Sequence, residues 1–185
     1  MQIVGAPEIP LTTLDKWRVE NNIGDIDFIK LNIQGGELEV LKGAADCLTE
    51  VLGLQVEMSF NQTYVGAPRI DAVDGHLINK GFQFFDLLAP NYIGRMASPV
   101  AVTGSAREDF GWPRRQLFEG HFLYLRDPIA GGEDWPATKV LKLALIAEIY
   151  GQVEYAFELL AFVRKRDAMF ERMFLDASKR YASIL

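Results

Sequence analysis

Polar side chains and two adjacent glycines follow a short apolar segment in the first quarter of the sequence. Residues Ile26–Ile33 are rich in branched and aromatic types, which predicts a mostly buried strand. The polar positions at its end are Asn32, Gln34, Gly35, Gly36 and Glu37. Backbone N–H groups at the start of a following helix can bind a carboxylate or a phosphate, and paired glycines let a ligand approach closely. Alternatively, the glycines only form the turn, and Glu37 only complements the helix dipole.

A second candidate, Glu57, lies within the apolar segment Leu54–Phe60. Here Leu54, Val56, Met58 and Phe60 alternate with polar residues, which predicts a strand. A carboxylate on a central strand is costly unless it is paired or faces a ligand. Glu57 is therefore expected to be paired or to face a ligand.

Several other chemistries lack the residues they need. The chain has two histidines and one cysteine at no usable ligand spacing, so we expect no metal site. No G-x-S-x-G motif occurs, and no two of the sixteen glycines are spaced as G-x-G. The sequence therefore favours neither a serine nucleophile, nor a dinucleotide fingerprint, nor a phosphate-binding loop.

The elements that must position these residues alternate along the chain. A helix near residues 11–17, with a capping box at Thr12 and Asp15, precedes the strand 26–33. A helix over 38–48 then leads to the strand 54–60, and such a crossover joins parallel strands. The later elements are predicted as a helix over 70–78, strands over 82–88 and 121–125 separated by a long excursion over 89–115, and helices over 138–150 and 153–183.

This order predicts an α/β fold with a mostly parallel sheet and a C-terminal helical hairpin. We divide it into an α/β domain over residues 1–130 and a helical extension over 131–185. The last helix carries an apolar stripe that must bury against the domain or a neighbouring subunit. Its members are Phe170, Met173, Phe174, Ala177, Tyr181 and Ile184.

The composition and net charge argue against two classes of binding partner, nucleic acids and membranes. The 185 residues carry a net charge of −6, which argues against a surface built to coat nucleic acid. No apolar run approaches the ~20 residues that span a bilayer, and no leader pattern is present, so we expect a cytoplasmic protein that binds neither membrane nor nucleic acid.

Two segments together resemble the signature of FkbM-type S-adenosylmethionine-dependent methyltransferases. They are Leu11–Asp15 (LTTLD) and Asp25–Ala44 (DIDFIKLNIQGGELEVLKGA). The pieces that follow are also in the family's order, namely Val56-Glu57, Gly81-Phe82 and the strand Phe122–Asp127. The resemblance covers about residues 10–128. It implies a partial Rossmann-like sheet and O-methyl transfer from S-adenosylmethionine to a hydroxyl of a sugar or natural product.

The resemblance also implies roles for the candidate residues. Glu57 and Asn32 would be catalytic, and Gln34, Gly35, Gly36 and Glu37 would bind the cofactor or substrate. The family has Asp where this sequence has Asn32, and an amide cannot act as a base. The family's cofactor-binding half, with its glycine-rich turn, precedes the signature, and we expect this chain to lack those N-terminal strands.

An incomplete sheet would leave one long strand edge unpaired, and such an edge promotes association. We therefore expect Gln2–Val4 to fold back onto it, or a homodimer to form through this edge or the C-terminal helices. Two functions follow: a methyltransferase that is inactive or incomplete as this chain alone, or a non-catalytic module that dimerises or pairs with a cofactor-binding half. A third possibility is that the chain is a fragment of a longer enzyme.

Overall fold

A computed structural model describes residues 8, 10–93, 116–132 and 134–182 of the chain. Within these residues it contains four strands, seven α-helices and one short 3-10 helix. The strands are β1 (Phe28–Leu31), β2 (Gly53–Ser59), β3 (Phe82–Ile93) and β4 (Gln116–Arg126). The α-helices are α1 (Leu14–Glu20), α2 (Glu37–Lys42), α3 (Cys47–Glu50), α4 (Ile70–Asn79), α5 (Ala137–Ile149), α6 (Val153–Val163) and α7 (Ala168–Ala182), and the 3-10 helix is Arg164–Arg166.

The four strands form one sheet in the order β1-β2-β4-β3. β1 and β2 are parallel, as predicted, whereas β4 is antiparallel to both of its neighbours. The prediction of a mostly parallel sheet is therefore wrong, because two of the three pairings are antiparallel. The physical reason is that β4 inserts between β2 and β3, and this non-local pairing leaves no mark in the hydrophobic period of either strand.

Local boundaries also differ from the predictions. β3 extends to Ile93, into the predicted excursion, of which residues 94–115 lie outside the described residues, and β4 begins at Gln116, five residues before the predicted strand. The helix predicted over 38–48 is divided into α2 and α3. Asp15 was predicted to close a capping box with Thr12, but its carboxylate instead accepts the backbone N–H groups of Asp46 and Cys47 at 2.9 and 2.8 Å. Thr13 caps α1 by accepting the N–H of Lys16.

Each face of the sheet buries its own core. On one face, Leu54, Val56 and Tyr124 pack with residues of α2, α3 and α4. On the other face, Leu123 and Leu125 pack with residues of α5 and α6. This division follows from the alternation of side chains along β4.

The C-terminal helices thus share a core with the sheet, and the division of the chain at residue 130 stays a prediction. The apolar stripe of α7 is partly covered: Phe170 and Ala177 are buried, whereas Met173 is 39% exposed. The side chains of Tyr181 and Ile184 lie outside the described residues, as do the predicted extra-strand residues Gln2–Val4. No helix in the described part of the chain is long and apolar enough to cross a membrane.

Arg126, the last residue of β4, joins the helices of one face to the sheet. Its guanidinium donates to the carbonyl oxygens of Leu48, Val51 and Lys80, and it lies 4.1 Å from the centre of the Phe82 ring. These carbonyls lie at or near the ends of α3 and α4, where helix carbonyls lack partners. Arg126 therefore fixes both helices against the sheet.

Candidate functional site

A buried carboxylate shapes the turn that leaves β1. Glu37 is 4% exposed, and its two carboxylate oxygens accept the backbone N–H groups of Ile33 and Gly35, each at 2.9 Å. The turn requires positive φ at two residues, Gln34 (59°) and Gly35 (104°). A Cβ on Gly35 would also lie 3.0 Å from the Cβ of Ala67. Glycine is therefore needed at position 35 for both conformation and space.

This turn directs the Gln34 side chain onto Glu57. Nε2 of Gln34 donates to Oε2 of Glu57 at 2.6 Å and to Oδ1 of Asn32 at 3.1 Å. The hydroxyl of Tyr64 donates to Oε1 of Gln34 at 3.4 Å. Three of the predicted site residues, Asn32, Gln34 and Glu57, are thus in one hydrogen-bonded group at the carboxyl ends of β1 and β2.

β4 contributes two residues that sequence reasoning missed. In the antiparallel register, His121 lies opposite Glu57 and Glu119 lies opposite Ser59. Nε2 of His121 is 3.8 Å from Oε1 of Glu57. Glu119 accepts from the Ser59 hydroxyl at 3.3 Å and from the Asn91 amide at 2.9 Å. Only the register of β2 with β4 reveals these neighbours, and no local pattern encodes that register.

The surroundings of Glu57 raise the pKa of its carboxyl group. The largest cause is burial, and the negative charge of Glu119 adds to it. His121 opposes this by lowering the pKa, whereas the charge of Glu37 raises it. A carboxylate with a raised pKa holds a proton more readily, as a general base near neutral pH should.

The cleft beside these residues is narrow and acidic. It is lined by Gln34, Glu57, Glu119 and Tyr64, among others, and encloses about 20 Å³, which is room for about one water molecule. None of its described lining residues is Lys or Arg. The cleft can therefore accept protons and bind hydroxyl groups, but it offers no cationic partner to an anionic ligand.

The other predicted ligand-binding positions have structural roles. Gly36 precedes α2, and a Cβ there would lie 3.1 Å from Cδ1 of Ile33. Both oxygens of Glu37 are engaged by the backbone, as described above. Ligand binding by these two residues and Gly35 stays a prediction. Among the described residues, no cluster of three or more His, Cys, Asp or Glu side chains could hold a metal ion.

Residues 1–84 match the model of the Methyltransferase FkbM domain. The match confirms the FkbM resemblance over the first part of the chain, a little less than half of its 185 residues. It includes Asn32, Gln34 and Glu57, whereas Glu119 and His121 lie beyond it. No curated protein and no solved structure matches the chain.

A variant at Glu57 tests the electrostatics of this FkbM-like site. Folding raises the pKa of Glu57 above the ordinary carboxyl value of 4.5, so the folded state binds the proton more tightly than the unfolded state does. Ionisation of Glu57 therefore lowers the free energy of unfolding as the pH rises through the raised pKa. Glu57→Gln removes this loss and keeps an acceptor for Gln34. Its melting temperature should exceed that of the wild type at about pH 7, and the gain should vanish at about pH 4.

Thermal melts of both proteins across this pH range provide the measurement. Glu154→Gln, an exposed glutamate in the first turn of α6, is the control and should show no comparable gain. A variant that is equally or less stable than the wild type at neutral pH would contradict the raised pKa.

Proposed function

We propose that this chain forms the acceptor-binding side of an FkbM-like, S-adenosylmethionine-dependent O-methyltransferase whose substrate is a hydroxyl of a sugar or natural product. The observation that carries the proposal is the convergence of Asn32, Gln34 and Glu57 within the residues that match the family. Ligands of open α/β sheets bind beyond the carboxyl ends of the strands, where these three residues lie.

Glu57 is the proton acceptor in this proposal. The acceptor hydroxyl binds beside the carboxylate, its O–H bond breaks, and the proton moves to a carboxylate oxygen of Glu57 while the electron pair stays on the hydroxyl oxygen. Gln34 donates a 2.6 Å hydrogen bond to Oε2 of Glu57 and so fixes the orientation of the Glu57 carboxylate. Placement of the two reactants supplies most of the catalysis in such a displacement, so a fixed base is an advantage.

Asn32 and Gln34 position the acceptor. The side-chain amide of Asn32 can donate and accept hydrogen bonds, and Oε1 of Gln34 can accept them, which suits the hydroxyl groups of a sugar. Asn32 is uncharged, so it cannot share the role of base with Glu57. Tyr64 adds a third polar group at the same edge through its contact with Gln34.

The described residues do not fit S-adenosylmethionine as a complete site. β1 is an edge strand of the described sheet, so no described strand lies beyond it to hold a cofactor. The absence of a G-x-G spacing agrees with this. We therefore propose that cofactor binding requires further residues alongside β1, supplied by additional sequence or by a partner chain.

The position of β1 at the edge of the described sheet also supports a second candidate function, a non-catalytic binding or assembly module derived from a methyltransferase. Exposed strand edges pair readily with other chains. Exposed apolar side chains on the C-terminal helices, such as Leu145 (57%) and Ile149 (79%), offer another contact. A homodimer through either surface, or pairing with a cofactor-binding half, would cover them.

An acceptor titration tests the first candidate. We expect glucose, fucose or rhamnose to shift the side-chain amide NMR signals of Asn32 and Gln34 in the full ¹⁵N-labelled chain, because these amides lie at the sheet edge where the acceptor is proposed to bind. Gln34→Ala should weaken the response of Asn32, whereas Gln83→Ala, an exposed glutamine on β3, should not. No change at Asn32 or Gln34 with any of the three sugars would contradict an acceptor site for sugars.

A cofactor titration separates the two candidates from a self-contained enzyme. We expect the melting temperature of the chain to be unchanged by S-adenosylmethionine or its demethylated product, because the described site is incomplete. A ligand at 100 times its dissociation constant adds about 2.7 kcal/mol of stability to a protein that binds it. A stabilisation of that size would show that the chain alone holds the cofactor and would refute the proposed incompleteness.

A further inference from the structure

A second concave surface lies between α4 and the strands β3 and β4, and it shares no lining residue with the cleft at Glu57. We refer to it as the aromatic groove, and its volume is about 510 Å³. Its four aromatic residues are Phe60, Phe84, Phe122 and Tyr124. Ile70 and Leu87 complete its apolar lining.

The four rings contact one another in a chain from Phe60 through Phe122 and Phe84 to Tyr124. The ring of Phe122 lies 5.9 Å from that of Phe60 and 5.8 Å from that of Phe84, and Phe84 also contacts Tyr124 at 5.7 Å. Neighbouring rings are tilted by 50–59° to each other, so they present both faces and edges. Phe122 and Tyr124 are buried, whereas Phe84 is 48% exposed. The accessible wall of the aromatic groove is therefore formed chiefly by Phe84.

The charged residues that line the groove are both acidic. Asp74 accepts the hydroxyl of Tyr124 at Oδ1 at 2.6 Å, and no described group donates to its Oδ2. Burial and the neighbouring Asp74 raise the pKa of Tyr124, so the tyrosine stays a neutral donor to the Asp74 side chain. Asp71 lies nearby and pairs with Arg69 at 3.4 Å, but both side chains are more than half exposed, so this pair is weak.

Aromatic faces beside a carboxylate select a particular kind of ligand. A cation gains energy from the ring quadrupole and from the carboxylate, whereas an anion is repelled by both. No Lys or Arg is among the described residues that line the groove, so no resident cation already fills this role. The apolar lining also favours a cation that carries its own apolar surface over a compact, strongly hydrated one.

We propose that the aromatic groove is a binding site for a small alkylated ammonium ion. Its quaternary or protonated tertiary nitrogen contacts Phe84 and pairs with Asp74. The site is independent of the proposed methyl-transfer chemistry, because none of its residues belongs to the cleft. Charge complementarity carries the assignment.

The test compares choline with 3,3-dimethylbutan-1-ol, in which a carbon atom replaces the charged nitrogen. We expect choline to shift the backbone amide NMR signals of Phe60, Asp74 and Phe84 in the full chain. The neutral alcohol should bind at least about tenfold more weakly, because it keeps the shape and loses both the cation–π and the ionic attraction. Equal binding of the two probes would show a merely apolar groove and overturn the proposal, as would the absence of shifts with choline.

Two variants locate the interaction. Phe84→Leu keeps an apolar side chain but removes the ring, and Asp74→Asn removes the charge but keeps an acceptor for Tyr124. Each should weaken choline binding about fivefold or more without lowering the melting temperature greatly. Asp134→Asn is the matched control, because its 93% exposed side chain precedes α5 on the other face of the sheet, and it should leave binding unchanged. Choline binding that survives both groove variants would overturn the assignment.

A lipid headgroup carries the same chemistry as free choline, so vesicles of phosphatidylcholine form a further arm. We expect the chain not to sediment with them. Co-sedimentation that Asp74→Asn abolishes would identify a headgroup and overturn the assignment to a free small molecule.

Discussion

The candidate site depends on one buried carboxylate, that of Glu37. A buried carboxylate is costly unless donors satisfy it, and here the N–H groups of Ile33 and Gly35 do so. The Glu37 carboxylate in turn satisfies these two N–H groups, which would otherwise lack partners in the turn. Glu37 thus fixes the turn in a conformation with positive φ at Gln34 and Gly35. The hydrogen bond from Gln34 to Glu57, and with it the orientation of the Glu57 carboxylate, follows from this one interaction.

The first half of the site could be predicted from sequence because it is local. The strand 26–33, its glycines and the alternating segment around Glu57 define a βαβ unit, and the ends of parallel strands meet at one edge. This rule brought Asn32, Gln34 and Glu57 together, and the structure agrees. The same reasoning left the role of Glu37 open between ligand binding and helix dipole, because a turn-closing carboxylate depends on backbone geometry that residue types do not specify.

The second half could not be predicted, because it depends on how distant strands pair. β4 begins 57 residues after Ser59, yet it pairs with β2 and places His121 opposite Glu57. The sequence predicts His121 only as the first residue of a strand, and the prediction of a mostly parallel sheet gives that strand the wrong direction. Loop closure over such a distance is not encoded in hydrophobic period, which reports burial and not the identity of the neighbour. His121 and Glu119 therefore required the structure.

The acidic residues of the cleft connect the structure to the proposed function. The described lining of the cleft contains Glu37, Glu57 and Glu119 and no Lys or Arg. Burial and the charges of the other two glutamates raise the pKa of Glu57. A poised carboxylate beside two amides suits proton removal from a hydroxyl, which is what an FkbM-like O-methyltransferase needs on its acceptor side. β1 is an edge strand of the described sheet, and in the proposed function further residues alongside it bind the cofactor.

Amide hydrogen exchange at Ile33 and Gly35 tests the role of Glu37 most directly. The account predicts that both amides exchange slowly in the wild type and quickly in Glu37→Gln, because the glutamine NH₂ group cannot accept a hydrogen bond and leaves one N–H facing another donor. Glu39→Gln, whose side chain is 76% exposed, should leave both amides protected. Fast exchange of these amides in the wild type, or unchanged protection in Glu37→Gln, would contradict the claim that this carboxylate builds the site.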